Sequence, residues 1–131
     1  MVIVDSTVWV DYFNGVHTPE TDWLDFALDR QRLAITSLIL CEVLQGVRTE
    51  REALQVRTEL LRLEVFGALS PDVAILAALN CRLLRRRGLT VRKIVDLLIA
   101  SFCIQEQHAL LHHDRDFDPF EEFMGLTVIH P

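Results

Sequence analysis

Four acids in this chain stand where an α/β fold could bring them together: Asp5, Glu42, Asp96 and Asp114. Asp5 ends the apolar run Val2-Ile3-Val4, and a hydroxyl pair, Ser6-Thr7, follows at once. Asp114 comes shortly after Ala109-Leu110-Leu111. Glu42 and Asp96 lie in or just before apolar helical stretches. Carboxylates that converge repel one another, and without a counter-charge at least one acquires a raised pKa. A hard divalent cation resolves that conflict. An all-carboxylate ligand set, without His or Cys, suits Mg²⁺ or Mn²⁺ rather than zinc. Such sites favour phosphodiester hydrolysis: one metal ion activates a water while a second, ~3.5–4 Å away, stabilises the leaving oxygen.

Each acid taken singly has a structural explanation as well. Asp5 and Ser6 are both favoured N-caps, and Asp96 at the opening of a helix is favoured by the helix dipole. A lone Glu on a helix is usually solvated surface. Capping does not account for Glu42, flanked by Cys41 and Val43-Leu44, nor for an acid after both apolar strands.

The elements that must position these acids read in order along the chain. A strand over residues 2–4 leads into a helix from Ser6-Thr7, which Asn14-Gly15 ends. Thr18 caps a second helix with Pro19 at its first position and Trp23, Leu24, Phe26, Ala27 and Leu28 as its apolar residues. Leu33 to Thr36 is a second strand, and a helix from Ser37 as cap to about Val47 carries Glu42. Residues 49–62 form a charged amphipathic helix with Leu54, Val56, Leu60 and Leu61 inward, and Glu64-Val65-Phe66 is a short extended segment.

Ser70-Pro71 starts a longer helix ending in Arg82, Arg85, Arg86 and Arg87 before Gly88. Those bases complement the helix C-terminus; alternatively Arg85 and Arg86, with Arg92 and Lys93 beyond, form a phosphate-binding edge. The helix opened by Asp96 is apolar nearly all round and must be central. Ala109-Leu110-Leu111 is a third buried strand, Phe120 to Phe123 a helical turn, and Leu126 to Ile129 a last strand. His112 and His113 read as loop residues able to contact phosphate, or as plain surface. Strands that alternate with helices imply a mostly parallel sheet with helices against it, its strand ends gathered at one edge.

The bulk properties agree with this reading. The 131 residues suit one α/β domain, 1–131, and half of them are apolar. A net charge of −6 argues against a non-specific nucleic-acid coat, though not against a local basic strip. Cys41, Cys81 and Cys103 show neither disulfide nor zinc spacing, and apolar neighbours make each a buried hydrophobe. No signal peptide and no membrane span are legible, so a cytoplasmic protein without membrane contact is expected.

Val4-Asp5-Ser6-Thr7-Val8-Trp9-Val10, Ser37…Glu42, Asp96-Leu97-Leu98-Ile99-Ala100 and Leu110-Leu111…Asp114-Arg115-Asp116-Phe117 together resemble the PIN domain. In size and order the chain is similar to the VapC-type toxins of bacterial type II toxin–antitoxin pairs. The resemblance implies a three-layer α/β/α sandwich around a five-stranded parallel sheet and a Mg²⁺-dependent endoribonuclease in which Mn²⁺ can substitute. It makes Asp5, Glu42, Asp96 and Asp114 the catalytic, metal-binding quartet. Thr7 and Asp116 are then supporting residues that orient ligands or substrate, and either Asp114 or Asp116 is the fourth acid. A homodimer and a VapB-like antitoxin are the implied partners, with the helices of residues 37–62 as the expected docking surface.

Two rival readings come from other classes. A phosphatase with an aspartate nucleophile also places an acid after its first strand, but it resembles Asp-x-Asp, and here Thr7 holds the third position. A non-catalytic PIN-like binding module has no need of four intact acids.

Overall fold

A computed structural model describes residues 1–131. Its centre is a four-stranded sheet in the order β3-β2-β1-β4, with every pairing parallel. The strands are β1 (Val2–Val4), β2 (Leu33–Thr36), β3 (Glu64–Phe66) and β4 (Ala109–Leu111). The helices are α1 (Ser6–Phe13), α2 (Pro19–Ala27), α3 (Ser37–Gln45), α4 (Glu50–Leu60), α5 (Pro71–Arg86), α6 (Ile94–Glu106) and α7 (Asp118–Met124). A 3₁₀ turn over Arg115–Phe117 leads from the end of β4 into α7.

The central strands are short and apolar because the helices leave them no wet face. Ile3, Val4, Ala34, Ile35, Leu110 and Leu111 are fully buried. β3 is an edge, and the Arg32–Glu64 ion pair (3.2 Å) lies beside it, charge of the kind that blunts an open edge. α6 is the most buried helix, enclosing Leu97, Ile99, Ala100, Phe102 and Cys103. It packs on α5, where Asn80 Nδ2 donates to Ser101 Oγ at 3.1 Å and satisfies both buried polar groups. No helix is long and apolar enough to cross a membrane.

The structure corrects several expectations. The sheet has four strands rather than five. Residues 126–129 pair with β4 by a single parallel bridge, Leu110 to Val128. One further rung would take its donor from residue 131, and Pro131 has no N–H. Thr36, not Ser37, caps α3, because its hydroxyl is the one that accepts from the Ile39 amide (3.2 Å). Leu54 and Leu61 are exposed rather than inward, since Leu60 alone on α4 is fully enclosed. Phe26 is exposed too, covered on one face by the Arg30 guanidinium 4.3 Å from its ring centre. Of the cysteines only Cys103 is buried; Cys81 is half-buried and Cys41 exposed, because α3 buries Ile39 and Val43 instead.

Candidate active site

The strand order itself creates the crevice. β1 to β3 run outward on one side of β1, and β4 returns to its other side. The carboxyl ends of β1 and β4 therefore flank the point where the connections diverge, which is where open α/β sheets bind ligands. Asp5 follows β1 directly, with its amide donating to Leu111 O of β4 at 2.9 Å. The loop His112–Asp114 leaves β4 beside it.

Asp5 is both a cap and more than a cap. Oδ2 accepts from the Thr7 amide (3.2 Å) and from Thr7 Oγ1 (2.7 Å), which settles the start of α1. Thr7 Oγ1 in turn accepts from the His113 amide at 3.1 Å, tying the loop after β4 to the loop after β1. Asp5 Oδ1, however, is buried with no hydrogen-bond partner. Burial pushes the Asp5 carboxyl up to about 6, against the lowering effect of its Thr7 bonds; the Glu42 charge adds to the rise.

Asp96 lies in the first turn of α6, 5 % exposed, and it caps nothing: Lys93 holds the cap position and no side chain completes it. Asp96 Oδ2 is likewise buried without a hydrogen-bond partner. Burial again raises this carboxyl, to about 6, and the Asp5 charge adds to the shift. Two enclosed carboxylate oxygens without donors are costly unless something positive completes them.

Asp114 and Asp116 are both present at this point. One carboxylate oxygen from each of Asp96, Asp114 and Asp116 lies within 4.8 Å of the others. Burial pushes Asp114 up, but the Asp116 amide (2.9 Å) and the Lys93 ammonium (3.1 Å) outweigh it and hold the carboxyl below its ordinary range. Glu42 reaches the edge from α3, where Ser6 Oγ donates to its Oε1 at 3.1 Å. Burial is the main reason its pKa is raised; the charges of Asp96 and Asp114 add to it.

Lys93, expected only as a phosphate contact, stands inside the cluster. Its ammonium lies 3.1 Å from Asp114, 3.7 Å from Asp96 and 3.8 Å from Asp116. Arg92 and Arg115 join it along a cavity of about 380 Å³ that also borders Asp96 and Asp116. Arg85 and Arg86 are exposed at the end of α5 and do not line that cavity. His112 is not plain surface: it packs on Phe117 (4.9 Å between centres), and its Nδ1 accepts from the Asp114 amide (3.1 Å). Burial lowers its pKa, which favours the neutral ring that can accept this bond. Sequence spacing could not have revealed Arg115 or the inward turn of Lys93, because neither repeats a pattern.

The donors suit a hard cation: carboxylate oxygens only, two of them buried and unsatisfied, with no Cys or His among them. A parallel α/β sheet with clustered acids at its diverging strand ends defines the class. The chain belongs to the PIN domain family, whose sequence profile matches residues 2–122. It is 33% identical over 134 residues to VapC ribonuclease Mb1587 of Mycobacterium bovis and to Ribonuclease VapC11 of Mycobacterium tuberculosis, covering 98% of this chain and 97% of each relative. Among solved structures it is similar to VapBC2 from Rickettsia felis, bound to a promoter DNA fragment (TM-score 0.79, 22% identity, 98% of each chain). FitAcB from Neisseria gonorrhoeae has the same fold (TM-score 0.77, 18% identity, 100% of this chain and 98% of that one).

Proposed function

We propose that this protein is the toxin of a type II toxin–antitoxin pair, an endoribonuclease that hydrolyses single-stranded or looped RNA with Mg²⁺ or Mn²⁺. The observation that carries the reading is the pair of buried oxygens that accept no hydrogen bond, Asp5 Oδ1 and Asp96 Oδ2, beside Asp114 and Asp116. Asp96, Asp114 and Asp116, whose carboxylate oxygens lie closest together, would hold the cation, with Asp5 and Glu42 beside them. A bound Mg²⁺ or Mn²⁺ supplies Lewis-acid activation of water and neutralises charge at the leaving oxygen.

The chain's own residues do the rest. Thr7 locks the Asp5 carboxylate, and the Asp116 amide and His112 fix Asp114 from two sides. Glu42 is oriented through Oε1, leaving Oε2 to take the proton of the attacking water. Its raised pKa makes it a better base for that step. The water oxygen bonds to phosphorus, the ester P–O bond breaks, and the departing alcohol takes a proton from solvent. Arg92 and Arg115 face the RNA backbone across the adjoining cavity.

The partners follow from the same reading. The antitoxin is a VapB-like chain, and a groove of about 840 Å³ between α1, α3 and α4, with Val10, Phe13, Val47 and Val56 on its walls, is its docking place. Ile75 and Leu79, one turn apart and exposed on α5, are candidate contacts of a homodimer. The site of action is the cytoplasm.

The test is cleavage of a fluorescent single-stranded RNA, beside a phosphate monoester, with Mn²⁺, Mg²⁺ or EDTA. RNA cleavage that needs the metal ion, with the monoester untouched, is the expected result. RNA cleavage in excess EDTA, or turnover of the monoester alone, overturns the proposal. Light scattering at tens of micromolar tests the dimer, and a monomer there would refute it.

A further inference from the structure

Among the thirteen basic residues of the chain, twelve are arginines and one is a lysine, and that lysine is Lys93. Helix electrostatics does not explain where it stands. A cation at a helix N-terminus opposes the dipole, and Lys93 makes no capping bond for α6. What it contacts are three carboxylates, those of Asp96, Asp114 and Asp116, all within 3.8 Å of one nitrogen. The same three carboxylates offer oxygens close enough together for a single ion.

Lysine differs from arginine in the way that matters here. Its ammonium is a compact point charge on a flexible stem, whereas guanidinium is a wide planar fork that binds carboxylates in pairs. A compact ammonium can occupy a metal-sized space and leave it again. The Lys93 side chain is 55% exposed, so it has a way out, and the cavity bordered by Arg92 and Arg115 lies beside it. A partly exposed ion pair is weak, so a divalent ion that bridges several carboxylates can displace it.

We infer that Lys93 is a tethered counter-cation: it neutralises Asp96, Asp114 and Asp116 in the metal-free protein, and a divalent ion must displace it to load the site. This rests on the metal-site reading above. Metal loading is then a cation exchange. The acids stay assembled without metal, and the protein loads only where free divalent ion is abundant. The displaced ammonium remains at the mouth of the site, alongside Arg92 and Arg115.

A lone lysine makes the test direct. Protein labelled with ¹³C at lysine Cε gives one lysine signal, followed while Mg²⁺ is titrated in and the melting temperature is read in parallel. The expected result is movement of that signal to the position of a free lysine as the melting temperature saturates. Calorimetric titration with Mn²⁺ provides the second arm. Lys93→Met should bind Mn²⁺ at least ~5-fold more tightly than the native chain, a gain of the size that one removed contact charge commands. Arg92→Met, which removes a like charge that touches no carboxylate, should change the affinity less than ~2-fold by the same Coulomb argument.

A saturating Mg²⁺ melt with an unmoved lysine signal overturns the inference while leaving the metal site intact. Equal effects of Lys93→Met and Arg92→Met overturn it too, because they would reveal a general field in place of displacement. No Mn²⁺ binding by any variant, with no thermal response to Mg²⁺, removes the metal site and the inference with it.

Discussion

Asp5 and Asp96 each bury one carboxylate oxygen that accepts no hydrogen bond, and the negative charge of the first raises the pKa of the second. One follows β1 directly and the other lies in the first turn of α6, far away along the chain. The fold thus holds two like charges at the mouth of one crevice, a cost that a bound cation would offset.

That cost has a sign in pH. Both carboxyls rise from 3.8 to about 6 in the folded chain, chiefly through burial, so the fold binds these protons more tightly than the unfolded chain does. Their contribution to stability is full below pH 3.8 and lost as pH rises through about 6, on the order of 3 kcal/mol for each group. Chelated native protein should therefore lose stability between pH 4 and 7 relative to Asp5→Asn and Asp96→Asn. Urea melts of the three chains across that range check it, and parallel profiles would refute it.

Asp96→Asn separates a ligand from a structural acid. Asn keeps the size and removes the charge, so the metal-free melting temperature should stay the same or rise. Cleavage of single-stranded RNA should fall at least ~100-fold, since even partners one step behind a metal ligand cost 10–100-fold. The rise in melting temperature on adding Mn²⁺ should shrink or vanish. Cleavage at the native rate would take Asp96 out of the site.

Thr7 ties Asp5 to the loop after β4 through two hydrogen bonds of one hydroxyl. Thr7→Val leaves the His113 amide without its acceptor and Asp5 Oδ2 with the backbone amide alone. Stability should drop by about 1–2 kcal/mol and Mn²⁺ affinity should fall as well. Thr7→Ser should restore both. A Val variant that binds Mn²⁺ like the native chain would reduce Thr7 to a structural hydroxyl.

The two arginine groups should behave differently toward RNA. Arg92 and Arg115 line the cavity beside the acids, whereas Arg85 and Arg86 do not. Arg92→Ala and Arg115→Ala should each weaken RNA binding and lower its salt slope by about 1. Arg85→Ala and Arg86→Ala should leave both unchanged. Binding isotherms at several salt concentrations, in EDTA to prevent cleavage, decide the matter.

Thiol reactivity reports the burial pattern independently. Cys41 should alkylate first and Cys81 more slowly, while Cys103, enclosed in α6 with its thiol pushed up to about 12 by burial, should wait for unfolding. Mass spectrometry of iodoacetamide-treated native protein gives the order, and early labelling of Cys103 would contradict the packing of α6.

Much of this architecture is local and so was legible in the residues alone. Val2-Ile3-Val4, Leu33 to Thr36 and Ala109-Leu110-Leu111 are short apolar runs that only a covered parallel sheet can accommodate, and all three are strands. Thr18-Pro19 and Ser70-Pro71 start helices because a hydroxyl cap and a fixed φ act within one turn. The acids at the strand ends were legible for the same reason, since parallel strands must end on one edge. Four strands in place of five, Leu54 and Leu61 in solvent, and the exposed Cys41 were not, because pairing and burial depend on what lies opposite. Which acids come together was decided the same way. Asp114 and Asp116 are equivalent as letters, and only the 3₁₀ turn brings both oxygens to Asp96. Lys93 read as one more base in a basic stretch until tertiary packing set its ammonium among three carboxylates, an arrangement of charges from α6 and the loop after β4 that no local pattern encodes.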